Sequence, residues 1–355
     1  MSVTRLVPVT DGDPVRALQE FLSAWWDRNE IRAMLAPTRV KPGSAVRVEA
    51  IVCRDDLDRV DPLAPVISGN AASLLDEFAR EHGTGKIAAM LRPCELRALV
   101  EMRKRKRTTP AVDATEVIGV DCLSCYPQEE YLRMARGRPA GSLLKENLEY
   151  ASEGGLTPES LRTACQICDW PAPVGADLVI GMLGVDTDTQ LFLIARDEST
   201  DLRTHLAEIA PARVPEDAVV RREMAVAALS EKRARQRNRL IGSFPNLFAD
   251  LGSALSMFVN CSLCGDCLQA CPLYHGELAG MLGTGGMREG RRPVLAELVE
   301  LARWLSSCSG CGTCEDVCPQ DVPVMALVSC LSHRIREGLH YRAGDPDQPL
   351  PWLVS

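Results

Sequence analysis

The sequence contains no apolar run approaching the roughly 18 residues that cross a bilayer. Its opening, MSVTRLVPVTDGDP, has no apolar core behind a basic start. No membrane span is expected, and the protein is expected to be cytoplasmic. Positive charge is not in surplus either. Forty Lys and Arg stand against 48 Asp and Glu, a formal net charge of -8, which argues against nucleic-acid binding built on phosphate contacts. The five histidines are scattered and offer no zinc-hydrolase spacing. No Gly-x-Gly-x-x-Gly follows an extended segment, so a Rossmann dinucleotide site is unsupported. His82-Gly83-Thr84-Gly85-Lys86 lacks the phosphate-loop spacing and precedes a strand pattern, which makes it a loop. What the chain has in excess is cysteine. Fifteen cysteines, an odd number without an export signal, point to thiolates that hold metal in a reducing compartment and away from a disulfide framework.

Periodicity over the first two thirds alternates between helical and extended segments, an α/β signature. An amphipathic run opens at Asp13-Pro14 and continues to about Leu35. Extended patterns follow at Ala45–Cys53, Lys86–Leu91, Glu116–Asp121, Leu178–Leu183 and Gln190–Ala195, and helical ones at Asn70–Glu81, Glu95–Arg107 and Pro215–Leu240. Composition changes after Phe258, where eight of the next 61 residues are cysteine. A second domain therefore begins near there. Residues 343–355 hold three prolines and no periodicity, and read as a tail. The basic run Arg103-Lys104-Arg105-Lys106-Arg107 closes a helix pattern and reads as a solvated face.

Two segments repeat each other. Cys261-x2-Cys264-x2-Cys267-x3-Cys271-Pro272 and Cys308-x2-Cys311-x2-Cys314-x3-Cys318-Pro319 both follow the dicluster ferredoxin pattern. There three cysteines wrap one 4Fe-4S cluster and the fourth crosses to the other. Cys261, Cys264, Cys267 and Cys318 are thus expected to hold one cluster, and Cys308, Cys311, Cys314 and Cys271 the second. A pair of zinc knuckles needs only paired Cys-x2-Cys, which does not account for the triple spacing or for Cys-Pro at both ends. Thirty-six residues separate Cys271 from Cys308, including a helical pattern at Val294–Leu305. The domain resembles the α-helical ferredoxins of heterodisulfide reductase and fumarate reductase subunits.

Seven cysteines lie elsewhere. Cys53 and Cys330 read as small buried apolar residues. Cys94, Cys122, Cys125, Cys165 and Cys168 sit at turns, several of them directly after strand patterns. In an α/β sheet such turns converge on one edge, where ligands bind. Cys94, Cys122, Cys165 and Cys168 are the expected ligands of a third 4Fe-4S cluster, with Cys125 as the competitor of Cys122.

Four segments in order, Ile67-Ser68-Gly69-Asn70, then Lys86–Leu99 with Arg92-Pro93-Cys94-Glu95-Leu96-Arg97, then Val117–Cys122, then Cys165-x2-Cys168-Asp169 with Ala176–Gly184, resemble the β-subunit family of coenzyme F420 hydrogenase and dehydrogenase. The form with this Pro-Cys-Glu-Leu-Arg segment and a C-terminal dicluster domain is nearest to formate dehydrogenase β subunits. The resemblance spans roughly residues 60–200. It implies FAD held by a non-Rossmann fold, a cluster beside it, and hydride exchange with a soluble carrier such as coenzyme F420. The implied FAD contacts are Ser68, Gly69, Asn70, Gly181 and Gly184, with Arg92 beside a cluster or a pyrophosphate. The family's usual Ser-Gly-Gly turn is Ser68-Gly69-Asn70 here.

The expected architecture is an α/β flavin-binding domain followed by a mainly α-helical dicluster ferredoxin domain. Residues 1–60 would be an N-terminal extension, 61–215 the flavin domain, 216–342 a helical linker with the ferredoxin, and 343–355 the tail. The expected function is an iron-sulfur flavoprotein electron-transfer subunit. Its partner would be a catalytic subunit, a molybdenum or tungsten formate dehydrogenase or a hydrogenase. A flavin-free electron-transfer subunit is the first alternative. A heterodisulfide-reductase-like subunit is the second, and it would need paired Cys-Cys-Gly segments that this sequence lacks.

Overall fold

The computed structural model describes residues 3–40, 45–138, 141–152, 160–196, 200–242, 259–274 and 295–353. Its centre is one seven-stranded sheet in the order β1-β7-β6-β5-β4-β2-β3. The strands are β1 (Val3–Pro8), β2 (Ile31–Arg39), β3 (Val46–Ile51), β4 (Lys86–Leu91), β5 (Glu116–Val120), β6 (Leu178–Gly181) and β7 (Gln190–Ala195). The four central strands are parallel, while β3 and β7 pair antiparallel with β2 and β6, and β1 pairs antiparallel with β7.

Side chains alternate between the two faces, as a pleated strand requires. Met34, Met90, Ile118, Ile180 and Leu193 join the core beneath the helix Pro14–Arg28. Leu35, Leu91 and Val117 face the core beneath the helices Leu75–His82 and Pro93–Lys104. Both faces are covered, so β2 and β4 are buried along nearly their whole lengths, as parallel strands usually are.

Residues 3–51 supply three of the seven strands, so they are an integral part of the sheet and not an extension to it. The amphipathic run ends earlier than its periodicity suggests. Asn29 caps the first helix, Glu30 takes a left-handed φ of 53°, and β2 begins at Ile31. The helix Glu216–Gly242 leaves the sheet and leads towards the cysteine motifs. Phe258, the expected start of the second domain, lies outside the described residues. Each motif has the same local form. A glycine with left-handed φ, Gly265 at 84° or Gly312 at 76°, caps a four-residue helix, Asp266–Gln269 or Thr313–Asp316. The helices Leu295–Ser306 and Val324–Leu339 pack against each other beside them.

Residues 341–352 have no periodicity, yet they are anchored. Tyr341 donates to the buried Glu101 carboxylate at 2.5 Å, and the Gly344 N–H donates to the same oxygen at 2.8 Å. Trp352 lies near the guanidinium groups of Arg105 and Arg303. Arg105, expected on a solvated face, donates to the Arg303 carbonyl at 2.6 Å and to Ser307 Oγ at 2.8 Å. It thereby ties the helix Pro93–Lys104 to the ferredoxin region.

Candidate metal centres

Three strand ends build the site in the α/β domain. After β4 the chain turns through Arg92-Pro93-Cys94 into a helix that the proline and Glu95 start. Glu95 Oε2 accepts from the Arg92 N–H at 2.7 Å and Oε1 from the Ala71 N–H at 3.0 Å, so one carboxylate fixes both the Cys94 turn and the Ser68-Gly69-Asn70 turn. After β5, Asp121 Oδ2 accepts from the N–H groups of Met182 and Leu183 beyond β6, and Oδ1 from Arg222 at 2.6 Å. The Cys122 N–H then donates to the Pro171 carbonyl at 2.8 Å. These bonds bring Cys122 to the edge of the sheet where Cys94 already lies.

Four sulfurs meet there. Cys125 is hydrogen-bonded to both Cys122 and Cys165, and Cys94 is close enough to feel the charge of Cys122. The hydrogen bond with Cys125 draws the Cys122 and Cys165 thiols below their ordinary range, against the opposing effect of burial. Arg92 lowers Cys122 further, Arg162 lowers Cys165, and Arg233 acts on both. Thiolate character of this kind suits metal ligation. Arg92 itself donates to the carbonyls of Pro62 and Ala64. Burial opposes its charge, but Cys125, Glu95, Cys122 and Cys94 raise its pKa above the usual value. It faces the cysteines. The Sγ of Cys168 accepts from Arg97 at 3.4 Å.

In the ferredoxin region the sulfur of Cys267 is under the influence of Cys261, Cys264 and Cys318. Cys314 feels Cys308, Cys311 and Cys271. Burial, then Cys308 and Cys311, push the Cys271 thiol up to about 12, a crowding of like groups that a bound cation would reverse. The structure thus brings Cys271 near Cys308, Cys311 and Cys314, and Cys318 near Cys267. It also places the second motif against the α/β domain, because Cys94 feels Cys311 and Arg162 forms a two-pronged ion pair with Asp316. Among the described residues, no three or more His, Cys, Asp or Glu side chains converge as they would on a single metal ion. A cubane spreads its four thiolates around a cluster and does not require that convergence.

The expected flavin contacts divide. Gly69 has open space where a side chain would stand, and the neighbouring Asn70 Nδ2 is buried without a partner, both of which fit a ligand. Gly181 and Gly184 serve a different purpose. A side chain at Gly181 would meet Arg222, and one at Gly184 would lie 2.9 Å from Ala225 Cβ and 3.0 Å from the Arg221 carbonyl. The close approach these glycines permit is made by the helix Glu216–Gly242. A cavity of about 410 Å³ lies beyond Ala64, with Arg39, Asp61 and Tyr131 in its wall and none of the cysteines. Of the remaining two cysteines, Cys330 is buried and Cys53 is exposed, since β3 ends two residues before it.

Neither Asp121 nor Arg162 stands out in the sequence as a functional residue. Each acts through a partner 61 to 154 residues away, and spacing carries no signal for that.

Residues 257–322 match the 4Fe-4S dicluster domain family. The chain is 22% identical over 296 residues to the F420-dependent formate dehydrogenase subunit beta of Methanocaldococcus jannaschii, covering 76% of each. It is 32% identical over 82 residues to one subunit of the ferredoxin/F420H2-dependent CoB-CoM heterodisulfide reductase of Methanosarcina acetivorans, a match spanning 23% of this chain and 48% of that one. A solved chain of the F420-reducing NiFe hydrogenase complex of Methanosarcina barkeri superposes with a TM-score of 0.49 at 11% identity, covering 69% of this chain and 94% of that one. Among the described residues no helix is long and apolar enough to cross a membrane.

Proposed function

The chain is a relative of an F420-dependent formate dehydrogenase β subunit and carries a 4Fe-4S dicluster domain, and from that premise we propose that it relays electrons between a soluble hydride carrier and a catalytic partner. An oxidoreductase role with iron-sulfur electron transfer is the general function. The finer reading has three cofactor regions in series. Cys94, Cys122, Cys165 and Cys168 hold a cluster in the α/β domain. Cys308, Cys311, Cys314 and Cys271 hold the next, and Cys261, Cys264, Cys267 and Cys318 the last. Cys125 competes for a place in the first set, because its sulfur bonds to two members of it.

FAD beside the Ser68-Gly69-Asn70 turn completes the proposal. When bound, a flavin would exchange a hydride as an electron pair with the carrier, F420 or a similar molecule, and exchange single electrons with iron-sulfur clusters. This chain's own contribution is to position and to neutralise. Glu95 holds the two turns together, Asp121 fixes the strand ends, and Arg92, Arg162 and Arg233 compensate thiolate charge. The partner on this reading is a formate dehydrogenase or hydrogenase catalytic subunit.

The observation that carries the proposal is continuity. Cys94 of the α/β domain lies near Cys311 of the second motif, and Cys271, the fourth cysteine of the first motif, lies near Cys308 and Cys311 of the second. Anaerobically prepared protein is expected to contain about twelve irons, where the ferredoxin clusters alone give about eight. A Cys165→Ser, Cys168→Ser double variant should lose about four, and unchanged iron content would remove the α/β cluster. Acid precipitation should release flavin. If none is released, the flavin-free alternative is correct.

A further inference from the structure

One side chain lies between the two cysteine regions. Arg97, in the helix Pro93–Lys104, is 8% exposed. It donates to Cys168 Sγ at 3.4 Å, and with Cys168 and Cys308 it lines one small cavity. Its charge acts on Cys94 in the α/β domain and, after that of Arg336, on Cys308 in the second motif. The Trp170 ring centre is 5.4 Å from its guanidinium carbon. Gly344, with φ of 83°, lies flush against its stem, where any side chain would overlap the Arg97 Cβ and Cγ. The Nε is buried and has no hydrogen-bond partner.

A cation confined in this way is costly unless negative charge stands beside it. Asp169, the carboxylate that reaches Arg97, is already paired with Arg237 at 2.5 Å. Glu101, one turn further along the helix, binds Lys104, Tyr341 and the Gly344 N–H. Besides Asp169, the negative charges that act on Arg97 are the thiolates of Cys168 and Cys94.

We propose that Arg97 is the shared counter-cation of the α/β cluster and the Cys308 cluster, and that it sets the potentials between which an electron passes. The proposal rests on the cluster assignment above. In each transfer one cluster is oxidised by one electron and the other reduced by one, with no bond or proton exchanged. A fixed cation and a hydrogen bond to sulfur both favour the reduced form, since net charge and sulfur hydrogen bonds are what tune cluster potentials. Arg97 touches no substrate, so it is a positioning residue.

The test is a redox titration of the full chain, loaded with clusters under anaerobic conditions and followed by electron paramagnetic resonance, with iron counted in every sample. In Arg97→Gln the α/β and Cys308 clusters should both become harder to reduce. A tenfold fall in the reduced-to-oxidised ratio at fixed potential is a shift of about 59 mV for one electron, and a shift of that size is expected. The Cys261 cluster, identified as the signal lost in Cys264→Ser, should not move. Arg97→Lys should recover most of the shift. Gly344→Ala keeps the charge but crowds the Arg97 stem, so it should move the same two potentials in the same direction by less, and it serves if Arg97→Gln fails to fold. Potentials that do not change while about twelve irons are present, or an equal shift in all three clusters, would overturn the proposal. About eight irons in the parent protein would instead refute the assignment beneath it.

Discussion

The two ferredoxin motifs have the same spacing, the same left-handed glycine and the same short helix, yet their surroundings are opposite. In the first, Cys261, Cys264, Val259 and Leu263 are exposed, and among the described residues nothing lies within 4 Å of where a side chain on Gly265 would stand. In the second, Cys311, Ser307, Ser309 and Thr313 are buried. A side chain on Gly312 would come within 2.5 Å of Ala164 Cβ in the α/β domain. Asp316 binds Arg162, while its counterpart in the first motif, Gln269, faces solvent. Ligand spacing therefore specifies that a cluster binds, whereas the neighbouring domain determines what the cluster can exchange electrons with. The second motif faces inward to the other cysteines, and the first faces outward.

The strongest way to break this comparison is to test whether the motifs are separate at all. Cys318→Ser should remove the cluster whose other ligands are Cys261, Cys264 and Cys267, and Cys271→Ser the other, each with a loss of about four irons. If Cys318→Ser disturbed the Cys308 signal and left the Cys261 signal intact, the crossing would be wrong. Next in size is the pair Asp316→Asn and Gln269→Ala. The first leaves Arg162, with 3% of its side chain exposed, without its carboxylate and should cost about 3 kcal/mol in a denaturant titration. The second should stay within about 0.5 kcal/mol, as surface substitutions do. Similar costs would mean that the second motif is not docked. The smallest contrast is between the glycines. Gly265→Ala incurs the left-handed backbone penalty of about 1–2 kcal/mol, and Gly312→Ala adds about 1–3 kcal/mol of overpacking against Ala164. Equal melting temperatures would place the two loops in equivalent surroundings.

Some of this was legible in the sequence because the physics is local. The bounds of β4 and β7 follow from short apolar runs between turn residues, and the eight ferredoxin cysteines follow from spacing alone. β2 was not legible. It is buried on both faces, so it carries no period-two pattern, and its apolar residues blended into the helix before it. β1 is a six-residue edge strand whose partner, β7, lies nearly 190 residues later. Gly181 and Gly184 suggest room for a cofactor, and the room is taken by a helix of the same chain. A glycine signals close approach without saying what approaches. Cys125, Arg97 and Arg162 acquire their importance only from neighbours that folding brings in.

The bond from Tyr341 to Glu101 spans 240 residues. At about 5–20 residues per second of synthesis, roughly ten to fifty seconds separate the two ends on the ribosome. In the later part of that interval, once β7 has been made at Gln190–Ala195, the strands and their cysteine-bearing turns have been synthesised while Tyr341, Arg342 and Gly344 have not, so Arg97 and Trp170 stand without the cover those residues later supply. The strap is thus the last part of the site to be made, and it covers Arg97 and Trp170 only after the sheet that carries them is complete.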